Sequence, residues 1–402
     1  MSKKIGLIRE GKVPIDRRTP LSPYQAKLVE ERFGVKLVVQ SSEIRCFLDE
    51  DYEKAGLAIV ESVEDCDIIL GVKEIPPENL VPRKTHLFFS HTIKKQAYNR
   101  KLLQAILEKK ITLIDWETLV NENGDRVIAF GRWAGIIGAY NGLWAYGKRY
   151  NLFSSQRAYQ CFNYEALKKE HFKIKLPNIK VVITGGGRVA RGAMEVLHGV
   201  GIRKVTANDF LSKTFDEPVF AQLNSKDYHQ RFDTGEFAQK EFYSNPELYK
   251  GDFLKYARKT DLLIASAFWN PSSPVLFTRE DILQDGLRIK VIADITCDIG
   301  GSIPTTKRVS TIEDPIYDYN PVSDLIEKAL TDDGNITVMA VDNLPCELPR
   351  DASETFGREL LSNVLPYLLG PDEEEMIKNA TIAEKGHLTK KYSYLQNYVD
   401  GK

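Results

Sequence analysis

Two apolar runs in this chain stop abruptly on ionisable side chains. "CDIILGVKE" (Cys66 to Glu74) closes on Lys73 and Glu74, and "THLFFSH" (Thr85 to His91) closes on His91. A lysine and a histidine suit proton transfer near neutral pH: histidine needs little adjustment, and burial weakens a lysine's hold on its proton. If both runs are strands of one parallel sheet, Lys73 and His91 stand at equivalent heights on its carboxyl edge, where open α/β sheets bind ligands. A third run, "LIDWE", brings Asp115 and Glu117 to the same edge. Such a set supports general acid–base catalysis, typically worth ~10²–10⁴-fold in rate. Taken singly, each residue also has a structural use, and His91 could simply cap a strand end. Arginines add a binding function: Arg17 and Arg18 in "DRRTPLSP", and Arg126 and Arg132 in "DRVIAFGRW". Their planar forks grip carboxylates through two parallel hydrogen bonds. The competing use of each is a surface ion pair.

A second chemistry is written into "KVVITGGGRVARGA". The β-branched run Val181 to Thr184 reads as a buried strand, and Gly185-x-Gly187-x-x-Ala190 opens a helix. Gly185 allows the tight turn, Gly187 lets a pyrophosphate approach the backbone, and Ala190 keeps helix and strand close. Arg188 and Val189 follow within the same turn. Asp209, about 20 residues on at the end of "KVTAND", is placed to accept hydrogen bonds from the adenosine ribose and to repel a 2′-phosphate. NAD is therefore expected as the coenzyme, with NADP possible because Arg188 stands beside the turn. The structural alternative for Asp209 is a turn or helix-capping aspartate.

The elements needed to position these groups follow from the pattern. The first ~110 residues alternate β-rich runs with helix-like segments, which implies a parallel sheet covered by helices. A second βα series starts at Ile179, and the segment 211–259 reads as an insertion with short helices. The run "DASETFGRELLSNVLPYLLG" reads as a helix that returns to the first domain. The expected fold is α/β, with two parallel-sheet domains, the second a Rossmann dinucleotide-binding domain, and a cleft between them. The expected domains are 1–150 plus 345–402 for catalysis and 151–344 for the dinucleotide. A length of 402 residues, with 43% apolar and 28% charged residues, suits two such globular domains. A net charge of −1 argues against nucleic acid or a membrane surface as a partner. Five cysteines without a CxxC spacing imply free thiols and no metal site. "MSKKIGLIRE" is no secretory signal, and Trp133 to Gly147 is too short for a membrane span and holds four glycines, so a cytoplasmic protein is expected.

The segments "REGKVPIDRRTPLSP", "GVKEIP", "RKTHLFFSHTIKKQ", "LIDWETLVNENGDRVIAFGRWAG", "ADITCDIGGSI" and "VDNLPCELPRDASETFG", in this order, resemble the L-lysine-forming saccharopine dehydrogenases. They are most similar to the lysine–ketoglutarate reductase half of the aminoadipic semialdehyde synthases, and more distantly to alanine dehydrogenase. The resemblance implies NAD(P)-linked, reversible oxidative cleavage of saccharopine to L-lysine and 2-oxoglutarate. It places the acid–base pair on Lys73 and His91, the substrate-carboxylate arginines on Arg18 and Arg126, and an aspartate near the nicotinamide on Asp342. The alternatives are an NADPH-dependent lysine–ketoglutarate reductase, an alanine dehydrogenase with a smaller pocket, and a dinucleotide-sensing protein without catalysis. The last has no use for the four charged residues.

Overall fold

The computed structural model describes residues 3–402, apart from the side chain of Asp285. The chain divides into two compact units, 1–130 with 349–402, and 131–348. Strands are numbered β1 to β18 along the chain.

The first unit is built on one eight-stranded sheet. β1 (Lys4–Leu7), β2 (Lys36–Gln40), β3 (Ala58–Val60), β4 (Ile68–Leu70), β5 (Thr85–Phe88) and β6 (Thr112–Asp115) are joined by β17 (Thr381–Glu384) and β18 (His387–Leu388). Their order is β18-β17-β6-β5-β4-β1-β2-β3, parallel from β3 to β6 and antiparallel from β17 outward. Central strands are buried on both faces, so they read as continuous apolar runs; Ile69, Leu70, Leu87 and Phe88 are fully enclosed. The helix Pro23–Phe33 starts from a Ser22–Gln25 capping box and stops at Gly34, which turns left-handed at φ 64°. The late helix Pro349–Asn363 packs on it at close range. A Cβ on Gly357 would lie 2.0 Å from the Gln25 Oε1, and Gln25 Nε2 donates to the Glu354 carbonyl at 2.7 Å. That contact ties 349–402 to the first unit across more than 300 residues of sequence.

The second unit carries another eight-stranded sheet: β7 (Lys180–Thr184), β8 (Arg203–Lys204), β9 (Val219–Leu223), β12 (Leu262–Ala265), β13 (Val291–Asp294), β14 (Ile316–Asn320), β15 (Leu325–Glu327) and β16 (Ile336–Met339). Their order is β15-β14-β16-β13-β12-β7-β9-β8, with only β14 and β15 antiparallel to their neighbours. β10 (His229–Arg231) and β11 (Tyr249–Gly251) form a separate antiparallel pair. Strand order reverses between β7 and β12, the switch point where such sheets bind ligands.

Two details differ from the sequence expectation. The helix Gly131–Arg149 groups with the second unit, not with residues 1–130. Its glycines decide this: a Cβ on Gly135 would stand 1.9 Å from the Val189 carbonyl oxygen, and one on Gly192 would stand 2.1 Å from that of Arg132. Helices Gly131–Arg149 and Arg188–Val200 thus meet backbone to backbone. The segment 211–259 is also more than an insertion, since it contains β9, the central strand paired directly with β7.

Candidate functional site

In the first unit, β4 and β5 are parallel neighbours with Leu70 opposite Leu87. Their pairing continues past both ends: Gly71 N–H donates to the Leu87 carbonyl, and Phe89 N–H to that of Val72, each at 2.9 Å. Lys73 and His91 therefore leave neighbouring strands at the same sheet edge. Between them lies Glu74. Its carboxylate accepts from His91 Nδ1 at 2.6 Å and from Lys12 Nζ at 2.8 Å. Burial alone would push the Glu74 carboxyl up, but the bonds from His91 and Lys12 hold it down at about 2. An ionised carboxylate only accepts, so Nδ1 carries a hydrogen and Nε2 is the nitrogen left for proton exchange.

Lys73 is held by its own backbone. Glu10 accepts from the N–H of Val72 at 2.6 Å and of Lys73 at 2.9 Å. Burial, then the charge of Asp16, raises the Glu10 carboxyl to about 8. The Lys73 amine is shifted the other way: burial lowers its proton affinity, and the positive charges of Arg18 and Lys12 lower it further. Arg18 is 3% exposed, lies 4.1 Å from the Phe130 ring centroid, and grips Asp16 through Nε at 3.0 Å and a terminal nitrogen at 2.6 Å. Arg126 is more open and donates to Glu117 at 2.6 Å. Asp115 is fully buried; it accepts from the Ser90 N–H at 2.9 Å, from the Ser90 hydroxyl, and from the Glu117 N–H at 2.7 Å. Asp115 thus fastens the end of β5 to the end of β6, and Glu117 pairs with Arg126 and, at 3.7 Å, with Lys94. Arg132 pairs with Glu195 in the second unit.

Sequence reasoning missed Glu74 as the imidazole's anchor, although the Lys–Glu pair was visible. It also missed Glu10, Lys12 and Asp16. All three lie in "REGKVPIDRR", whose charges are so dense that nothing in the order of residues says which pair with which.

The second unit contributes a cavity of about 850 Å³ whose floor is the turn Gly185–Val189. Gly185 has φ 91°, and a Cβ there would crowd the backbone of Ala267 at 3.1 Å. Gly187 precedes the 13-residue helix Arg188–Val200, and a Cβ there would meet nothing within 4 Å. Open space at Gly187, at the start of that helix, fits a dinucleotide pyrophosphate. Gly187→Ala is expected to leave the urea midpoint unchanged and to abolish most dinucleotide binding in titration calorimetry. Gly135→Val, aimed at the helix–helix contact, should do the reverse to the midpoint, costing at least the ~1–3 kcal/mol of an overpacked core.

Asp209 is a correction. It belongs to the helix Ala207–Ser212, its N–H donates to the Thr206 hydroxyl at 3.0 Å, and its carboxylate pairs with Lys213 at 2.8 Å. It does not line the cavity among the described residues. Pairing with β9 stops at Val205, whose N–H donates to the Phe220 carbonyl at 2.9 Å, because Thr206 caps a helix start, and β9 takes the place beside β7. The residues after β9, Asn224, Ser225 and Lys226, line the cavity where Asp209 was expected. Asp342 follows β16, is exposed, and its charge helps raise the Cys297 thiol, behind the larger effect of burial.

Residues 6–137 match the alanine dehydrogenase/PNT N-terminal domain, and residues 172–396 match the alanine dehydrogenase/PNT C-terminal domain. The chain belongs to the alanine dehydrogenase/PNT family. It is 32% identical to the mitochondrial alpha-aminoadipic semialdehyde synthase of Mus musculus over 98% of this chain and 47% of that protein. The chain thus spans about half the length of that relative. It is 26% identical to the saccharopine dehydrogenase [NAD(+), L-lysine-forming] of Schizosaccharomyces pombe, over 88% of this chain and 90% of that one. Among solved structures, an L-alanine dehydrogenase shares the fold at a TM-score of 0.66 and 17% identity, covering 99% of both chains. No helix among the described residues is long and apolar enough to cross a membrane.

Proposed function

We propose that the chain interconverts saccharopine with L-lysine and 2-oxoglutarate, using NADP(H) in preference to NAD(H). The observation that carries the reaction is the pair of neighbouring strand ends bearing Lys73 and His91, with Glu74 fixing the imidazole and Arg18 buried beside the lysine. The names of the relatives support the substrate class.

A bound nicotinamide dinucleotide supplies the hydride exchange. The rest is proton work for this chain's residues. In the cleavage direction the secondary amine gives up a proton before its carbon is oxidised. Water then adds to the imine carbon, and the carbon–nitrogen bond breaks as a proton returns to the departing lysine amine. Lys73, with its lowered proton affinity, and His91, exchanging at Nε2, are the groups that take and return these protons. Arg18 and Arg126 hold substrate carboxylates, turning binding energy into orientation.

The coenzyme preference departs from the expectation of NAD. That expectation rested on Asp209, which is paired with Lys213 away from the cavity. The described lining residues include the cations Arg188 and Lys226 and no carboxylate. The next acid along the chain after Lys226, Asp227, accepts from the Asn224 N–H at 2.7 Å.

The deciding assay follows NADPH and NADH oxidation with L-lysine plus 2-oxoglutarate, and in parallel with pyruvate plus ammonia. Turnover with the first pair alone is expected. Turnover with the second pair alone makes the chain an alanine dehydrogenase, and turnover with neither removes the catalytic reading.

A further inference from the structure

The segment Ser225–Gly251 lies between β9 and β12, and the parallel sheet does not need it, since β10 and β11 pair only with each other. It has its own small core. The Phe242 ring centroid stands 4.5 Å from His229, 5.2 Å from Tyr249 and 5.4 Å from Phe237. Arg231 pairs with both Asp233 and Glu241, and the Tyr249 hydroxyl donates to Glu241 at 2.6 Å. Tyr228 anchors the segment on the main core through Phe253, edge to face at 5.7 Å. A segment this well packed presents a defined face, and that face, with Phe237, Gln239 and Tyr243, lines the cavity above the turn Gly185–Val189. Phe268 and Trp269, just after β12, line the same cavity. Tyr243 is 62% exposed and Phe268 is 92% exposed. Folding gains little from either ring where it stands, and open aromatic rings in a concave site mark a binding surface.

We propose that Ser225–Gly251 is a coenzyme-binding element whose ring-bearing face, together with Phe268 and Trp269, encloses the adenine of the dinucleotide. Strand order selects this half of the coenzyme. β9 flanks β7 on one side of the switch point, whereas β13 and β16, which lead to Cys297 and Asp342, lie on the other. The adenosine half runs towards β9 and the nicotinamide half towards β13. A planar base stacks on aromatic faces without further reading, and the Gln239 amide can meet its polar edge. The proposal rests on the dinucleotide reading of the second unit and not on the identity of the substrate.

The test is titration calorimetry on the intact chain with three ligands: NADPH, 2′-phospho-ADP-ribose and reduced nicotinamide mononucleotide. Tyr243→Ala and Phe268→Ala are expected to weaken the two adenine-bearing ligands by about tenfold or more each, the scale of one base–aromatic stack. The mononucleotide should bind as it does to the parent chain, and Tyr243→Phe should restore adenine binding. Both altered rings are mostly exposed, so the thermal midpoint should not move. Unchanged affinity for 2′-phospho-ADP-ribose in the double variant overturns the proposal, as does an equal loss for the mononucleotide. If the adenine pattern holds while lysine and 2-oxoglutarate give no turnover, only the substrate reading falls.

Discussion

Lys73→Met is expected to lower kcat by ~10²-fold or more while dinucleotide affinity stays at the parent value. Methionine keeps the length of the side chain and its apolar packing, so the loss isolates the amine. The Val72 and Lys73 N–H groups that donate to the Glu10 carboxylate belong to the backbone, so those bonds survive the change. His91→Gln should cost a comparable factor, since glutamine can still reach Glu74 but cannot exchange a proton. Stopped-flow and steady-state kinetics with lysine plus 2-oxoglutarate measure both. If either variant turns over like the parent, that residue is structural. A loss confined to KM would move it from proton transfer to substrate binding.

The second large effect concerns the coenzyme. Lys226→Ala is expected to raise the KM for NADPH by ~10–150-fold, the cost of one charge-assisted hydrogen bond of about 1.5–3 kcal/mol. The KM for NADH should hardly change. A 2′-phosphate carries about −1.5 to −2 charges near neutral pH, so the lysine's contribution appears only when that group is present. Raising the salt concentration should shrink the difference, because the Lys226 side chain is exposed. Asp209→Ser serves as the contrast and should leave the NADPH-to-NADH ratio where it was. A large change in that ratio with Asp209→Ser, and none with Lys226→Ala, would restore the NAD reading.

Much of this architecture was legible in the residues themselves. Strands buried on both faces left continuous apolar runs, and each run ended where its backbone left the sheet, which is why Lys73 and His91 could be placed on one edge. The turn Gly185–Val189 announced itself because its glycines have local causes, a positive φ at one and open space at the other. Non-local partnerships were harder to read. The helix Gly131–Arg149 is apolar on most sides, so its glycines implied a close neighbour without naming Arg188–Val200. Asp209 misled because "KVTAND" carries strand formers and a cap at once, and Thr206 spends its hydroxyl on the helix. β9 was hidden behind the polar residues around it, although "PVFAQL" was an apolar run of the right length. The pairing of Arg18 with Asp16 could not be chosen among so many neighbouring charges.

The bond between Glu74 and His91 fixes the direction of proton traffic. With its carboxyl held down at about 2 by His91 and Lys12, Glu74 is an anion around neutral pH and claims the hydrogen on Nδ1. That bond settles which nitrogen opens to the reaction. The imidazole therefore works as a one-door port. A substrate has to be presented to Nε2, and a ring flip that would offer the other nitrogen must first break a charged, half-buried bond at 2.6 Å.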